Sequence, residues 1–248
     1  MVYPRIIAHR GGGGLAPENS LAGLTAAANI GCRGVEFDTM LSADGVPVLM
    51  HDDTVDRTTG GSGVVSRLTF AELRQLDIGG EPVPSLAEAL ARCAELGLWA
   101  NIELKVAVDA DIAALGQSVG RVLAEVWNGH GVISSYSTIA LLAAKSQLSR
   151  DSDYALLVDD LRPDWRERAV EAGACAVHMA AGWADAAAIA SVRAAGLKLA
   201  CYTVNEYTEG ERLLAAGATA VFTDFPELWH SPEPMPEASQ ILTLRPAA

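Results

Sequence analysis

The stretch "GVEFDTMLSADGVPVLMHD" (Gly34–Asp52) decides how the chain folds. It holds two apolar runs, "GVEFD" and "VPVLMHD", and between them little more than "SADG". A parallel crossover needs a dozen or more residues, so the second run must return beside the first as a hairpin. A turn centred near Ala43–Asp44 places Glu36 roughly opposite His51. Glu36 and Asp38, two apart on one strand, point to the same face. All three side chains can therefore share one site.

Outward from this hairpin the pattern changes. The other strand candidates are "RIIAH" (5–9), "WANIEL" (99–104), "GVISSY" (131–136), "YALLV" (154–158), "CAVHM" (175–179), "LKLACYTV" (197–204) and "TAVFT" (219–223). Between most of them lie helical runs such as "NSLAGLTAAANIG", "DWRERAVEAG", "DAAAIASVRAAG" and "EYTEGERLLAAG". Several end in Gly just before the next strand, a C-cap signal. Near-continuous apolar strands joined by helices indicate a parallel sheet covered on its faces. Eight such units predict a closed (β/α)8 TIM barrel, with an open doubly wound sheet as the alternative. The length of 248 residues suits such a barrel, which takes about 250. The hairpin and a small insertion, about residues 39–85, are expected over the C-terminal mouth. Residues 52–85 are polar and irregular, with a short helix at "TFAELRQL". The expected organisation is one domain over 1–230 and a Pro-rich tail over 231–248, extended or partly disordered.

Half the residues are hydrophobic, enough for a substantial core. The formal net charge of -13 argues against a nucleic-acid binder, which would carry a basic patch. An anionic substrate would need local positive charge. Cys32, Cys93, Cys175 and Cys201 are scattered without metal-ligand spacing and read as reduced, buried thiols. No apolar run approaches the ~18 residues of a membrane span. "MVYPRIIAHRGG" lacks a signal-peptide core, so a soluble cytoplasmic protein is expected.

In such barrels, polar residues at C-terminal strand ends read as catalytic. The first strand ends in His9-Arg10, the second carries Glu36 and Asp38, the hairpin return ends in His51, and the third ends in Glu103-Leu104-Lys105. Glu36, Asp38 and Glu103 offer convergent oxygen donors, which suit one hard divalent cation, Mg2+ or Ca2+. The alternative is a set of buried ion pairs with Arg10 and Lys105. His9 and His51 fit a general acid and base near neutral pH. Arg10 and Lys105 supply phosphate contacts. His178 is either a site residue or core packing. Together these groups describe phosphoester cleavage.

"AHRGGGGLAPENS", "GVEFDTMLSADGVPVLMHDDTVDRTTGGSG", "NIELK", "YTVN" and "VFTD" resemble the glycerophosphodiester phosphodiesterase family, over roughly residues 5–226. The likeness is nearest to its short cytosolic bacterial members. It implies a (β/α)8 barrel that hydrolyses sn-glycero-3-phosphodiesters to glycerol 3-phosphate and an alcohol. By matching position, Glu36, Asp38 and Glu103 look like the metal ligands, His9 and His51 like the acid/base pair, and Arg10 and Lys105 like phosphate contacts. The site also resembles that of phosphoinositide phospholipases C. That likeness suggests the glycerol 2-hydroxyl as internal nucleophile and a cyclic phosphate that water then opens. The implied partner is a small soluble glycerophosphodiester, with no nucleic acid and no stable membrane association; a homodimer is allowed.

Other residues carry two readings each. Asn19 or Ser20 caps the first helix, or Asn19 supports the site. Tyr202 is a wall for the glycerol moiety or plain packing, and Tyr136 and Trp183 could line the mouth. The chain departs from many relatives in its short "LDIGGEPVPSL" segment, in Val106 where Pro is common, and in "VHMAAG". Acylated lysophospholipid substrates, or a silent phosphate-binding barrel, are the competing functions. "HRGGGG" lacks the G-x-G-x-x-G and Gly-Lys-Ser/Thr fingerprints of phosphate loops. Gly11 is expected to be required there, and Gly12 to Gly14 replaceable.

Overall fold

The computed structural model describes residues 2–109, 111–149 and 151–230; the expected tail over 231–248 lies outside them. The elements run β1 (Ile6–Ala8), α1 (Leu21–Asn29), β2 (Gly34–Leu41), β3 (Pro47–Leu49), α2 (Phe70–Leu73), α3 (Leu86–Leu96), β4 (Trp99–Leu104), α4 (Ile112–Val126) and β5 (Gly131–Ser135). They continue with α5 (Thr138–Lys145), β6 (Tyr154–Val158), α6 (Trp165–Ala172), β7 (Ala176–Ala180), α7 (Ala186–Ala194), β8 (Lys198–Tyr202), α8 (Tyr207–Ala216), β9 (Ala220–Thr223) and α9 (Glu227–His230).

Eight parallel strands pair in the order β1-β9-β8-β7-β6-β5-β4-β2, and β1 pairs again with β2 to close the barrel. The open-sheet alternative is thereby excluded. Strand parity sorts the core. Ile7, Trp99, Val132, Ala155, Ala176, Ala200, Ala220 and Phe222 point inward and meet Tyr3. Their outward neighbours, such as Phe37, Ile102, Leu156 and Leu199, pack under the helices. Four inward alanines leave room for the large rings of Tyr3, Trp99 and Phe222, which plug the lower barrel.

β3 is the antiparallel exception, paired to the upper half of β2 with Thr39 opposite Leu49. The Met50 amide donates to the Asp38 carbonyl at 3.2 Å. The expected Glu36–His51 opposition is therefore one position out. The chain leaves the ladder after Leu49, and His51 still reaches the cavity shared by Glu36 and Asp38. Ser42 Oγ donates to Asp44 Oδ1 at 2.6 Å inside the hairpin turn. The same Asp44 oxygen accepts from the Phe70 amide at 2.8 Å, so the turn also holds α2. The excursion has its own small core of Met40, Val48, Met50, Val55, Val65, Leu73 and Val83. Among the described residues, no helix is long and apolar enough to cross a membrane.

The glycine run is tighter than expected. An added Cβ at Gly12 would sit 2.6 Å from the Gly23 carbonyl oxygen of α1, and one at Gly13 would strike the Asp224 carbonyl. Gly13 also has φ 60. The loop is threaded between α1 and the end of β9, so Gly12 and Gly13 are constrained. A Cβ at Gly11 would make ordinary contacts, the nearest 3.6 Å from the Ser20 carbonyl oxygen, but its φ is 93, and at Gly14 a Cβ would come 3.3 Å from the Asp224 oxygen. Gly12→Ala should cost about 1–3 kcal/mol, the usual penalty of overpacking. Gly60→Ala, where a Cβ meets nothing within 4 Å, should be near neutral; urea unfolding of the two variants checks the contrast.

Candidate active site

The acidic centre follows from two neighbouring parallel strands. Asp38 on β2 is in register with Glu103 on β4, and Glu36 with Asn101. Glu36, Asp38 and Glu103 are buried, and each places an oxygen within 4.8 Å of the others. Burial, then the charges of Asp38 and Glu103, raise the Glu36 pKa well above its ordinary value. Burial and Asp38 push Glu103 up to about 7 against the pull of Lys105. Lys105 Nζ lies 3.5 Å from Asp38 and 3.6 Å from Glu103. Burial pulls its ammonium down, but Glu103, Asp38 and Glu36 outweigh that and raise it.

One ammonium does not balance three carboxylates. Arg10 does not supply the rest, because its guanidinium turns to Glu18 at 3.1 and 3.2 Å. Its backbone amide instead donates to Glu36 Oε2 at 2.8 Å, which requires the left-handed φ of 53 at Arg10. Such a conformation in a non-glycine residue persists only where its surroundings impose it. Glu36 Oε1 and Glu103 Oε1 are buried without a hydrogen-bond partner. An all-oxygen set with orphaned carboxylate oxygens and excess negative charge fits a hard divalent cation.

Asn19 resolves its two readings. Ser20 caps α1 by accepting from the Gly23 amide at 2.9 Å. Asn19 Nδ2 donates to Asp38 Oδ2 at 2.9 Å, and its Oδ1 accepts from the Asp38 amide at 3.0 Å. Asn19 is thus a support of the acidic centre, with φ 54.

Both histidines are held through Nδ1. His9 Nδ1 lies 2.7 Å from Asp224 Oδ1, and His51 Nδ1 lies 2.6 Å from Asp52 Oδ1. Asp224 is fixed by Asn205, whose Nδ2 donates to its Oδ2 at 2.8 Å. Burial opposes ionisation of Asp224, yet the His9 and Asn205 hydrogen bonds lower its pKa. Arg57 forks Asp52 at 2.6 and 3.0 Å and Glu18 at 2.7 Å from each of two nitrogens. That guanidinium holds Asp52 well below the usual carboxylate range. His9 Nε2 stands 3.9 Å from Glu36 Oε2.

His9, Arg10, Glu36, Asp38, His51, Glu103, Lys105, Tyr136, His178 and Tyr202 line one cavity of about 220 Å3. Asn19 acts on it through Asp38. Trp183, on a turn after β7, is 61% exposed and does not line it. The Tyr136 and Tyr202 hydroxyls touch each other, and Tyr136 donates to Asp159 at 3.0 Å. Tyr202 donates to the Val158 carbonyl at 2.7 Å. The holders Asp224, Asn205, Asp52 and Arg57 were not singled out from sequence. The available signal was the "VFTD" end of the strand beside the one bearing His9 and the "YTVN" end of the strand next to that.

Fold and site define a TIM barrel whose mouth holds a buried acidic triad and two carboxylate-held histidines. A family model described as the glycerophosphoryl diester phosphodiesterase family matches residues 9–228, and the chain belongs to that family. A glycerophosphodiester phosphodiesterase of Caldanaerobacter subterraneus is 29% identical over 230 residues, covering 90% of this chain and 94% of that one. Bovine glycerophosphodiester phosphodiesterase 1 is 47% identical over 109 residues, which cover 40% of this chain and 33% of that protein. The chain thus spans about a third of the length of its mammalian relatives. Among solved structures, an Oleispira antarctica phosphodiesterase in complex with the product sn-glycerol-3-phosphate aligns with TM-score 0.85 and 34% identity, over 90% of this chain and 94% of that one.

Two outcomes are expected. In metal-stripped protein, Mg2+ or Ca2+ at roughly 100 times Kd should stabilise by about 2.7 kcal/mol. This corresponds to a Tm rise of roughly 5–10 °C for a chain of this size; Glu36→Gln should lose most of it in a thermal melt. Burial pushes His178 down to about 3 from 6.5. Between those pH values the unfolded chain takes up a proton that the folded one refuses, so the buried imidazole weakens stability as pH falls. Its slope is at most about 1.4 kcal/mol per pH unit, and His178→Gln should show a shallower loss of Tm with acid.

Proposed function

We propose that the chain hydrolyses glycerophosphodiesters to sn-glycerol 3-phosphate and an alcohol, in a reaction that depends on Mg2+ or Ca2+. The observation that carries this reading is the convergence of two carboxylate-held histidines on an acidic triad in one small cavity. The product bound in the Oleispira relative supports it. Glu36, Asp38 and Glu103 would hold the cation, which when bound supplies positive charge for a phosphoryl oxygen and lowers the pKa of a coordinated hydroxyl.

The chain's own residues do the rest. Lys105 keeps its proton and faces the site as a point charge for the phosphate. Arg10 lines the same cavity with its guanidinium oriented by Glu18. With Nδ1 held by a carboxylate, each histidine keeps Nε2 for proton transfer, an arrangement that fixes ring orientation. One histidine takes the proton of the glycerol 2-hydroxyl as its oxygen attacks phosphorus. The other protonates the departing alcohol oxygen. The resulting cyclic phosphate is opened by water with the two roles reversed. A tethered hydroxyl gains effective concentration, up to ~10⁵–10⁸ M in well-oriented systems.

The test is metal-stripped protein assayed on glycerophosphocholine with each cation restored. His9→Ala and His51→Ala should each lower kcat by about 10²–10⁴-fold with unchanged circular dichroism, and wild-type rates would refute their roles. An analogue lacking the 2-hydroxyl should not turn over; normal turnover would exclude the internal nucleophile.

A further inference from the structure

Beneath the acidic triad the cavity has a floor that the chemistry above does not use. Asn101 sits one inward position deeper on β4 than Glu103, and His178 projects inward from β7. β5 and β6 separate those strands, so the two side chains face the cavity from nearly opposite sides of the barrel. Each residue is 1% exposed. Asn101 Oδ1 and His178 Nδ1 are both buried without a hydrogen-bond partner, and both residues line the cavity. Thr39, Ser134 and Tyr154 also carry unpartnered buried oxygens, but they do not line it.

Buried polar atoms are normally paired, and an orphan in a cavity wall is free to pair with whatever fills the cavity, a water, an ion or a substrate group. The two atoms are chemically complementary to one kind of group. Asn101 Oδ1 only accepts. His178 Nε2 lies 3.2 Å from the Tyr3 hydroxyl. When Tyr3 donates to Nε2, Nδ1 carries the imidazole proton and donates. Burial keeps the ring neutral, so no charge is offered to an anion. An alcohol hydroxyl is a neutral group that can donate to one atom and accept from the other.

The floor is also closed. His178 packs against Phe222 with ring centroids 5.0 Å apart, and Tyr3 against Trp99 at 4.7 Å. A second groove lined by His9 and Arg10 runs past Gly13, Glu18 and Asp224. One end of the site is shut and polar, the other open.

We propose that Asn101 and His178 form a subsite that binds the terminal hydroxyl of the glycerol half, while the alcohol half lies in the second groove. This rests on the glycerophosphodiester reading above and adds a substrate rule to it: the terminal hydroxyl must be free. An acyl chain there would run into Tyr3, Trp99 and Phe222. A site built to hydrogen-bond a hydroxyl rejects the analogue lacking it far more strongly than an apolar pocket could.

The experiment uses the full chain loaded with its activating cation and three substrates. These are glycerophosphocholine, its analogue with hydrogen in place of the terminal hydroxyl but with the 2-hydroxyl kept, and 1-acyl lysophosphatidylcholine. Wild type should favour glycerophosphocholine over the deoxy analogue by about 10²-fold or more in kcat/KM, and should leave the lysolipid uncleaved. His178→Phe should lose about as much on glycerophosphocholine, and far less on the deoxy analogue, so that the ratio approaches one. His178→Gln, which restores a donor, should recover part of the ratio. If His178→Phe does not fold, Asn101→Ala gives the same comparison. Equal turnover of the first two substrates by wild type, cleavage of the lysolipid at a comparable rate, or an unchanged ratio in the variants overturns the subsite alone. Failure of wild type to cleave glycerophosphocholine with any cation overturns the proposed function, and the subsite with it.

Discussion

Three carboxylates buried within 4.8 Å of one another are the constraint to which the rest of the molecule answers. Like charges at that spacing repel, and burial removes the water that would screen them. The raised pKa values of Glu36 and Glu103 record that cost. The protein supplies partial compensation from several directions at once. Lys105 comes from the end of β4, the Arg10 amide from the loop after β1, and Asn19 from the entry to α1. Two of these donors need a left-handed backbone, at Arg10 and Asn19. The left-handed residues Arg10 and Asn19 are therefore tied to the acidic centre. At Arg10 the backbone amide rather than the side chain faces Glu36.

A second tier of charge holds the reactive groups. Barrel closure sets β9 beside β1 in parallel register, which brings Asp224 to His9 across 215 positions of sequence. On the other side, Arg57 joins the excursion after β3 to the start of α1, through Asp52 and Glu18. Glu18 in turn orients Arg10. Ion pairs this exposed contribute little to stability singly. Their value here is geometric, since a histidine held by a carboxylate at one nitrogen has a fixed direction at the other. The cavity is thus bounded by a rigid barrel below and by a linked set of charged side chains above.

Much of this was legible in the sequence because it depends on local period and spacing. "WANIEL" and "YALLV" are β4 and β6 residue for residue. The short "SADG" gap forced a hairpin, and the two-residue spacing of Glu36 and Asp38 put them on one face. What escaped depends on contacts between distant segments. The crowding of Gly12 by Gly23 and of Gly13 by Asp224 follows from how α1 and β9 approach the loop, and no feature of "HRGGGG" announces it. Asn19 reads from sequence as a cap because Asn is a good one; only the position of Asp38 assigns it elsewhere. Trp183 follows a strand end, yet its turn carries it to the outer rim. The hairpin register slipped by one position because the turn is tightened by Ser42 and Asp44 rather than centred between Ala43 and Asp44.

The short segment after α2 anchors the first helix. Glu81 within "LDIGGEPVPSL" accepts from the Leu21 amide at 2.5 Å and the Ala22 amide at 3.2 Å. Together with Ser20 at Gly23, this satisfies the first three amides of α1, the ones a helix cannot pair internally. Its negative charge also sits at the favourable end of the helix dipole. Gly79 lies against Pro17, just before that helix. The segment thus anchors α1, at whose entry Asn19 orients Asp38. On the proposed reading, the alcohol half meets the groove past Gly13, Glu18 and Asp224, and the terminal hydroxyl is read at the closed floor by Asn101 and His178.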